Sequence, residues 1–137
     1  MWKLYALLSA LFAALTAILA KIGVKGINGN VATAIRTAVV LFLAWGIVIL
    51  SGQLKEVKVL SKTNLLFLIF SGIATGLSWI FYFKALETGN VSKVAPIDKL
   101  SVVFVMILSF TCLHETMDLK TVIGGVLIAV GAIVLVI

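Results

Sequence analysis

The stretch Val94-Ala-Pro-Ile-Asp-Lys-Leu-Ser-Val-Val-Phe104 decides the fold, because it places a proline and two opposite charges inside an otherwise apolar run. A helix needs about 20 apolar residues to cross a bilayer. A span that uses the uncharged residues 100–113 must therefore begin near Lys93 and carry Asp98 and Lys99 within it. Charges at that depth need neighbouring helices or water, so this span should face the interior of a helical bundle.

The composition is that of a membrane protein. Hydrophobic residues make up 63% of the chain and charged residues 12%, and the mean hydropathy is +1.27, far outside the soluble globular range. Uncharged runs bounded by charged residues predict five transmembrane helices in a single domain covering 1–137. The expected helices are residues 3–21, 32–52, 64–86, 93–113 and 119–137. The fold class is therefore an all-α integral membrane protein without a soluble domain.

Residue types exclude several function classes. One histidine, one cysteine and no paired acids on a common face leave a nucleophile, a general base and a metal site without residues, so neither an enzyme nor a bound metal or cofactor is expected. The net charge of +6 does not indicate nucleic-acid binding, since the basic residues stand at helix ends. Lysine and arginine there extend to the interface and set orientation.

Polar residues form narrow seams on two of the predicted helices. At 100° per residue, one seam on the fourth helix contains Asp98, Ser101, Val105, Ser109 and Cys112, and one on the third contains Ser71, Thr75, Ser78 and Tyr82, with Trp79 at its edge. The seams are expected to face each other or a shared cavity. The alternative is that each serine or threonine bonds a carbonyl of its own helix or joins two helices.

Charged side chains near these seams are the candidate substrate-binding or coupling groups. Asp98 is the predicted partner or proton site, with Lys99, Arg36 and Lys84 as counter-charges. Neighbouring residues on a helix point about 100° apart, so Asp98 and Lys99 are each expected to find a partner on another helix. Asp98 lies only about 6 Å inside its helix, which leaves an architectural role open. The remaining candidates line the path: Tyr82, Trp79, Ser78 and Ser101.

The fifth predicted helix carries small residues rather than polar ones. Gly124, Ile128 and Gly131 form one stripe, because seven residues return to nearly the same helix face. This stripe predicts a packing or dimer seam. Asp118 is placed to cap the start of the helix, with Thr121 in its first turn.

Charge hardly decides the orientation. The face of the N-terminus holds five basic residues and the opposite face holds six, whereas a clear excess is needed to set topology. The chain is therefore expected to be able to insert into the membrane in either orientation. An odd number of spans places the termini on opposite faces, so two oppositely inserted copies would form the inverted repeat that many transporters carry in one chain.

Several short segments within residues 85–131 carry a family resemblance. They are Ala85-Leu86, Val94-Ala95-Pro96, Leu113-His114-Glu115, the run Ile123-Gly-Gly-Val-Leu-Ile128, and Gly131. Together they resemble the carboxy-terminal part of an EamA domain of the drug/metabolite transporter superfamily. Arg36 also matches the arginine usual at the start of the second helix. The chain looks like one half of the typical ten-helix protein, and is similar to five-helix bacterial and archaeal members that carry a Pro-Ile-Asp-Lys-Leu-Ser segment like residues 96–101.

The resemblance implies a function. It implies a multi-pass transporter of the cell membrane that carries a small polar metabolite by alternating access and works as a homodimer, parallel or antiparallel. The related small multidrug resistance family has an acidic residue eight positions before a lysine resembling Lys21, where this chain has Ala13, so cationic-drug exchange is not implied. The spacing of Gly124 and Gly131 matches the dimer seam of that family. The alternative function is a non-transporting scaffold or accessory subunit of another membrane protein.

Overall fold

The computed structural model describes every residue from Met1 to Ile137 and contains helices but no strands. In chain order the helices are α1 (Trp2–Gly23), α2 (Gly29–Leu50), α3 (Leu54–Val57), α4 (Lys62–Thr88), α5 (Val91–Asp98), α6 (Ser101–Cys112) and α7 (Leu119–Val134). The all-helical fold class is therefore confirmed.

Four stretches are long and apolar enough to cross a membrane. They are α1, α2, α4 and the pair α5 and α6, which together cover Val91–Cys112. Helix α7 has 16 residues, a length of about 24 Å, whereas the hydrocarbon core is about 30 Å thick. The expected count of five spans is thus not confirmed, because the structure has four spans and one shorter apolar helix.

Side-chain caps set two of the helix starts. Helix α2 begins at Gly29, three residues before the expected start, because the Asn28 side chain accepts a hydrogen bond of 2.8 Å from the Asn30 N–H. At α7 the Asp118 carboxylate accepts a hydrogen bond of 3.1 Å from the Thr121 N–H, and a second from the Thr121 hydroxyl. The predicted capping role of Asp118 is confirmed.

The Asp118 cap predicts a pH-dependent start of α7. Hydrogen bonds from the Thr121 hydroxyl and then from its N–H hold the pKa of Asp118 below its ordinary value of 3.8. The cap is therefore fully present above the ordinary value and is lost as pH falls through the lower folded-state pKa. We expect amide-exchange protection in the first turn of α7 to decrease on acidification. Asp118→Asn, which caps without titrating, should show no such decrease, and equal pH profiles of the two proteins would contradict the assignment.

Contacts divide the chain into two compact units, one of residues 19–88 and one of residues 1–18 with 89–137. In the unit of residues 19–88, α2 packs against α4. Its buried side chains include Val24, Phe83 and Leu86, none more than 3% exposed. The hydroxyl of buried Thr33 donates to the Gly29 carbonyl over 2.8 Å, so this polar group is satisfied within its own helix.

In the unit of residues 1–18 and 89–137, α7 packs against both α5 and α6. Gly125 and Ala132 are buried on one side of α7, two turns apart. A side chain at Gly125 would overlap the Met106 thioether, so glycine lets α7 approach α6 closely. Most of the large apolar side chains stay exposed in the single chain, as expected for helices that face lipid.

Candidate functional site

The fourth span is broken at the residues that the sequence singled out. Helix α5 ends at Asp98 and α6 begins at Ser101, with Lys99 and Leu100 between them. Pro96, inside α5, has no N–H to donate and its ring crowds the preceding turn. The chain continues with tighter bonds from the Lys99 N–H to the Pro96 carbonyl (3.0 Å) and from the Leu100 N–H to the Ile97 carbonyl (2.9 Å). Such a three-residue turn inside a span is typical of a functional hinge.

Asp98 and Lys99 form an ion pair, with Lys99 Nζ 3.1 Å from Asp98 Oδ2. The expectation that each finds its partner on another helix is therefore wrong. The regular helix ends at Asp98, and the flexible four-carbon stem of lysine lets its ammonium reach the neighbouring carboxylate despite the angle between the two residues. The side chain of Asp98 is 38% exposed and that of Lys99 is 56% exposed, so the single chain does not cover the pair.

The other candidate residues are divided between the two compact units. Ser101 begins α6 and is exposed, whereas Ser78 of α4 is exposed and Tyr82 of the same helix is half-buried. Lys84 is exposed near the end of α4. The Thr75 hydroxyl donates to the Ser71 carbonyl over 2.9 Å, which is the bonding within one helix that the alternative reading foresaw. That the two seams share a cavity stays a prediction.

Arg36 and Trp79, two of the predicted residues, form a cluster with Phe83. The guanidinium carbon of Arg36 lies 4.1 Å from the centre of the Trp79 ring and 5.7 Å from that of Phe83. Both distances fall within the range of cation–π attraction. The contact follows from the packing of α2 on α4. Sequence reasoning included Arg36 and Trp79 in the site but did not predict the stack, and it missed Phe83.

A second polar cluster joins both α1 and α2 to the end of α4. The Glu87 side chain accepts a hydrogen bond from the Gly29 N–H through Oε1. Lys21 Nζ donates to the Leu86 carbonyl over 2.5 Å. An acid is favourable at a helix start and a cation at a helix end, so both contacts suit the helix dipoles. Sequence reasoning did not assign Glu87, because Gly29 and Glu87 are 58 positions apart and no local pattern connects them.

The connection between α1 and α2 closes over a cleft of about 860 Å³. Its polar lining includes Lys21, Lys25, Asn28 and Glu87. Three of these side chains already hold protein partners: Lys21 and Glu87 join the helices, and Asn28 caps α2. The cleft is therefore a joint between helices, and the Arg36 cluster and the Asp98–Lys99 break remain the candidate functional groups.

The predicted glycine stripe of α7 is not used within the chain. A side chain built at Gly124 or Gly131 would meet nothing within 4 Å. The face that packs internally contains Gly125 and Ala132, which stand about 100° around the helix from the stripe. Gly124, Ile128 and Gly131 thus form a surface that the single chain leaves open.

Comparison with known proteins identifies the relatives of this chain. The family model described as the EamA-like transporter family matches residues 1–137. A curated protein of a Sinorhizobium species, described as "Uncharacterized transporter in cobO 3'region", is 47% identical over 134 residues, which are 98% of this chain and 95% of that protein. No solved structure gives a significant match.

Proposed function

The chain belongs to the EamA-like transporter family and is a membrane transporter, and from this premise we propose that it carries a small polar metabolite across the cell membrane by alternating access as a homodimer. The family resemblance seen in the sequence is confirmed over the whole chain. Both the family and the relative's description point to transport rather than to enzyme catalysis.

The observation that carries the proposal is the broken fourth span. Discontinuous helices in transporters commonly form substrate and ion sites near the bilayer midplane, because their unwound segments offer polar groups there. In this chain the break exposes Asp98 and Lys99 rather than burying them. Charges in a span are rare, and they face a bundle interior or a water-filled cavity. We therefore place the transport path beside this break.

The proposed homodimer follows from what a single chain leaves uncovered. One chain corresponds to half of the typical ten-helix family member, and its Asp98–Lys99 pair and glycine stripe are open. A second copy would cover them and enclose a path. We further propose that α7 and the apolar residues that follow it, Leu135 to Ile137, complete a fifth span, which places the termini on opposite faces. An antiparallel dimer would then reproduce the inverted repeat.

The glycine stripe gives a test of self-association. We expect Gly131→Leu to weaken the dimer, because added bulk prevents the close approach of two helices. Val130→Leu is the matched control, since Val130 is 52% exposed and lies off the stripe. A Cβ atom at Gly131 would meet nothing within 4 Å in the same chain, so a difference between the two variants reports on the interface. Dimer fractions are measured by single-molecule photobleaching in liposomes, and equal fractions would remove the stripe from the interface.

The near balance of basic residues gives a test of orientation. We expect Thr88→Lys with Asn90→Lys to shift insertion toward a cytoplasmic link between α4 and α5, and Gln53→Lys with Thr116→Lys to shift it the other way. All four side chains are exposed, so folding should be unaffected. Reporters at the C-terminus that are active on only one face measure the two populations. A wild type with a single orientation that neither pair of changes alters would contradict dual insertion.

Transport itself is tested on the purified protein. A panel of polar metabolites is first screened for compounds that raise the melting temperature, and each hit is then offered, radiolabelled, to liposomes that contain the protein. We expect counterflow in these liposomes and none in protein-free ones. Hits that bind without crossing the membrane would contradict the proposal and favour the accessory-subunit alternative.

A further inference from the structure

Arg36 is a half-buried charged group inside a span, and it lacks a partner of opposite charge. The chain has five acidic residues. Asp98 pairs with Lys99 and Glu87 accepts from Gly29, while the other three, Glu56, Glu115 and Asp118, stand outside the four spans. The guanidinium of Arg36 accordingly has no carboxylate in this structure, although arginine usually pairs with one when removed from water.

Two aromatic rings of α4 lie against the guanidinium. With Trp79 at 4.1 Å and Phe83 at 5.7 Å, the rings attract the cation through their negative faces. The rings supply no oxygen acceptor, so this attraction leaves the five N–H donors of the guanidinium available to a ligand. The structure contains no hydrogen bond from the Arg36 side chain to another residue, and the side chain is half-buried.

The depth of Arg36 in its helix argues that it is not an ordinary cation at the water-exposed surface. It is seven residues into α2, which begins at Gly29, so its Cα lies about 10 Å beyond the helix start. A cation at this depth is costly in hydrocarbon, and the cation–π attraction offsets only part of that cost. An anion that arrives with the substrate would offset the rest and use the free donors at the same time.

We propose that Arg36 binds the carboxylate of the transported molecule, which makes small carboxylate-bearing metabolites the substrate class. The assignment rests on the proposed transport function and narrows it. The planar fork of arginine matches a carboxylate with two parallel hydrogen bonds. A carboxylate also carries the single negative charge that one guanidinium balances, whereas a phosphate monoester at neutral pH carries up to two. Trp79 and Phe83 orient the fork and are positioning residues.

Binding can be measured without transport, because Trp79 is itself the sensor. The chain has three tryptophans, so replacing Trp2 and Trp45 by phenylalanine leaves Trp79 as the only emitter. The probes are three acids with their uncharged amides, namely acetate and acetamide, benzoate and benzamide, and N-acetylleucine and its amide, together with inorganic phosphate. We expect at least one acid to change the emission of Trp79 with an affinity at least tenfold above that of its amide. No preference for any acid, or a stronger response to phosphate, would overturn the proposal.

Variants of Arg36 test the role of the fork. Arg36→Lys keeps the charge but loses the planar donors, and we expect it to bind the acid about tenfold more weakly. Arg36→Gln should abolish the preference for the acid over the amide. Lys62→Gln is the matched control, because it removes an exposed cation at the start of α4 and should leave binding unchanged. If Arg36→Gln does not fold, Arg36→Lys carries the test, and undiminished acid preference in either folded variant would overturn the proposal.

The two proposals fail in distinguishable ways. A Trp79 response to an acid that is weakened in Arg36→Lys, in a protein that moves no compound across liposomes, would support the carboxylate site and contradict transport. Counterflow of a compound without a carboxylate, undiminished in Arg36→Gln, would support transport and contradict the carboxylate site.

Discussion

Asp98→Asn is expected to abolish transport while leaving expression and dimer yield close to those of the wild type. Asparagine keeps the shape and hydrogen-bonding capacity of aspartate but not its titratable charge. The lost ion pair should cost little stability, because both side chains are partly exposed and partly exposed pairs contribute about 1 kcal/mol or less. Lys99, left alone, has a long stem that can carry its ammonium toward water. The measurement is counterflow of a compound that the wild type transports, with yield recorded on the same preparation.

Matched variants separate charge from structure at this position. Asp98→Glu keeps the carboxylate and should retain part of the flux, whereas Glu115→Gln removes an exposed carboxylate beyond the end of α6 and should have no effect. A stable Asp98→Asn protein that transports normally would remove Asp98 from the transport path. A protein that fails to accumulate would instead indicate an architectural role for the ion pair.

Gly29→Ala is expected to destabilise the joint of α2 and α4. A Cβ atom at Gly29 would stand 2.8 Å from Glu87 Oε1 and 3.2 Å from the backbone carbonyl carbon of Phe83. The first contact displaces the carboxylate that accepts the Gly29 N–H, and the second is with backbone, which cannot rotate away. Overpacking of this kind costs about 1 to 3 kcal/mol. The melting temperature of the purified protein measures the effect.

Gly23→Ala is the control for this change. Gly23 ends α1, five residues before Asn28, and an added Cβ there meets nothing within 4 Å. Alanine is also the better helix former, so the melting temperature should stay the same or rise. In a Glu87→Ala background the cost of Gly29→Ala should become smaller, because one of the two close contacts is gone. Equal melting temperatures for Gly29→Ala and Gly23→Ala would contradict the close packing of α2 on α4.

Local patterns explain why several features were predictable. Caps depend on residues within one helical turn, so Asp118 and Thr121 could be assigned from their spacing alone. The position of the fourth span followed from the length of the uncharged run. The break within it was implied by Pro96, but the sequence reasoning assumed a continuous helix and so misplaced the partners of Asp98 and Lys99.

Contacts between distant segments could not be predicted in the same way. The stack of Arg36 on Trp79 joins residues 43 positions apart, and the bond from the Gly29 N–H to Glu87 joins residues 58 positions apart. Both depend on the register in which α2 packs on α4. Hydrophobicity does not set that register within a membrane, since nearly all faces of the helices are apolar and lipid is as apolar as a neighbouring helix.

The sequence by itself determined that this chain is an all-helical membrane protein, where four of its spans lie and to which family it belongs, because the apolar content and the short motifs are local properties. Only the tertiary structure decided which glycine of α7 packs inside the chain: Gly125 meets Met106, whereas Gly124 and Gly131 stay open. It also decided that Asp98 pairs with Lys99 and that Arg36 rests on aromatic rings without a carboxylate. The physical reason differs between these features. The Asp98–Lys99 pair depends on where the fourth span breaks. The helix packing and the aromatic contacts depend on distances between segments, which side-chain shape and helix register set together.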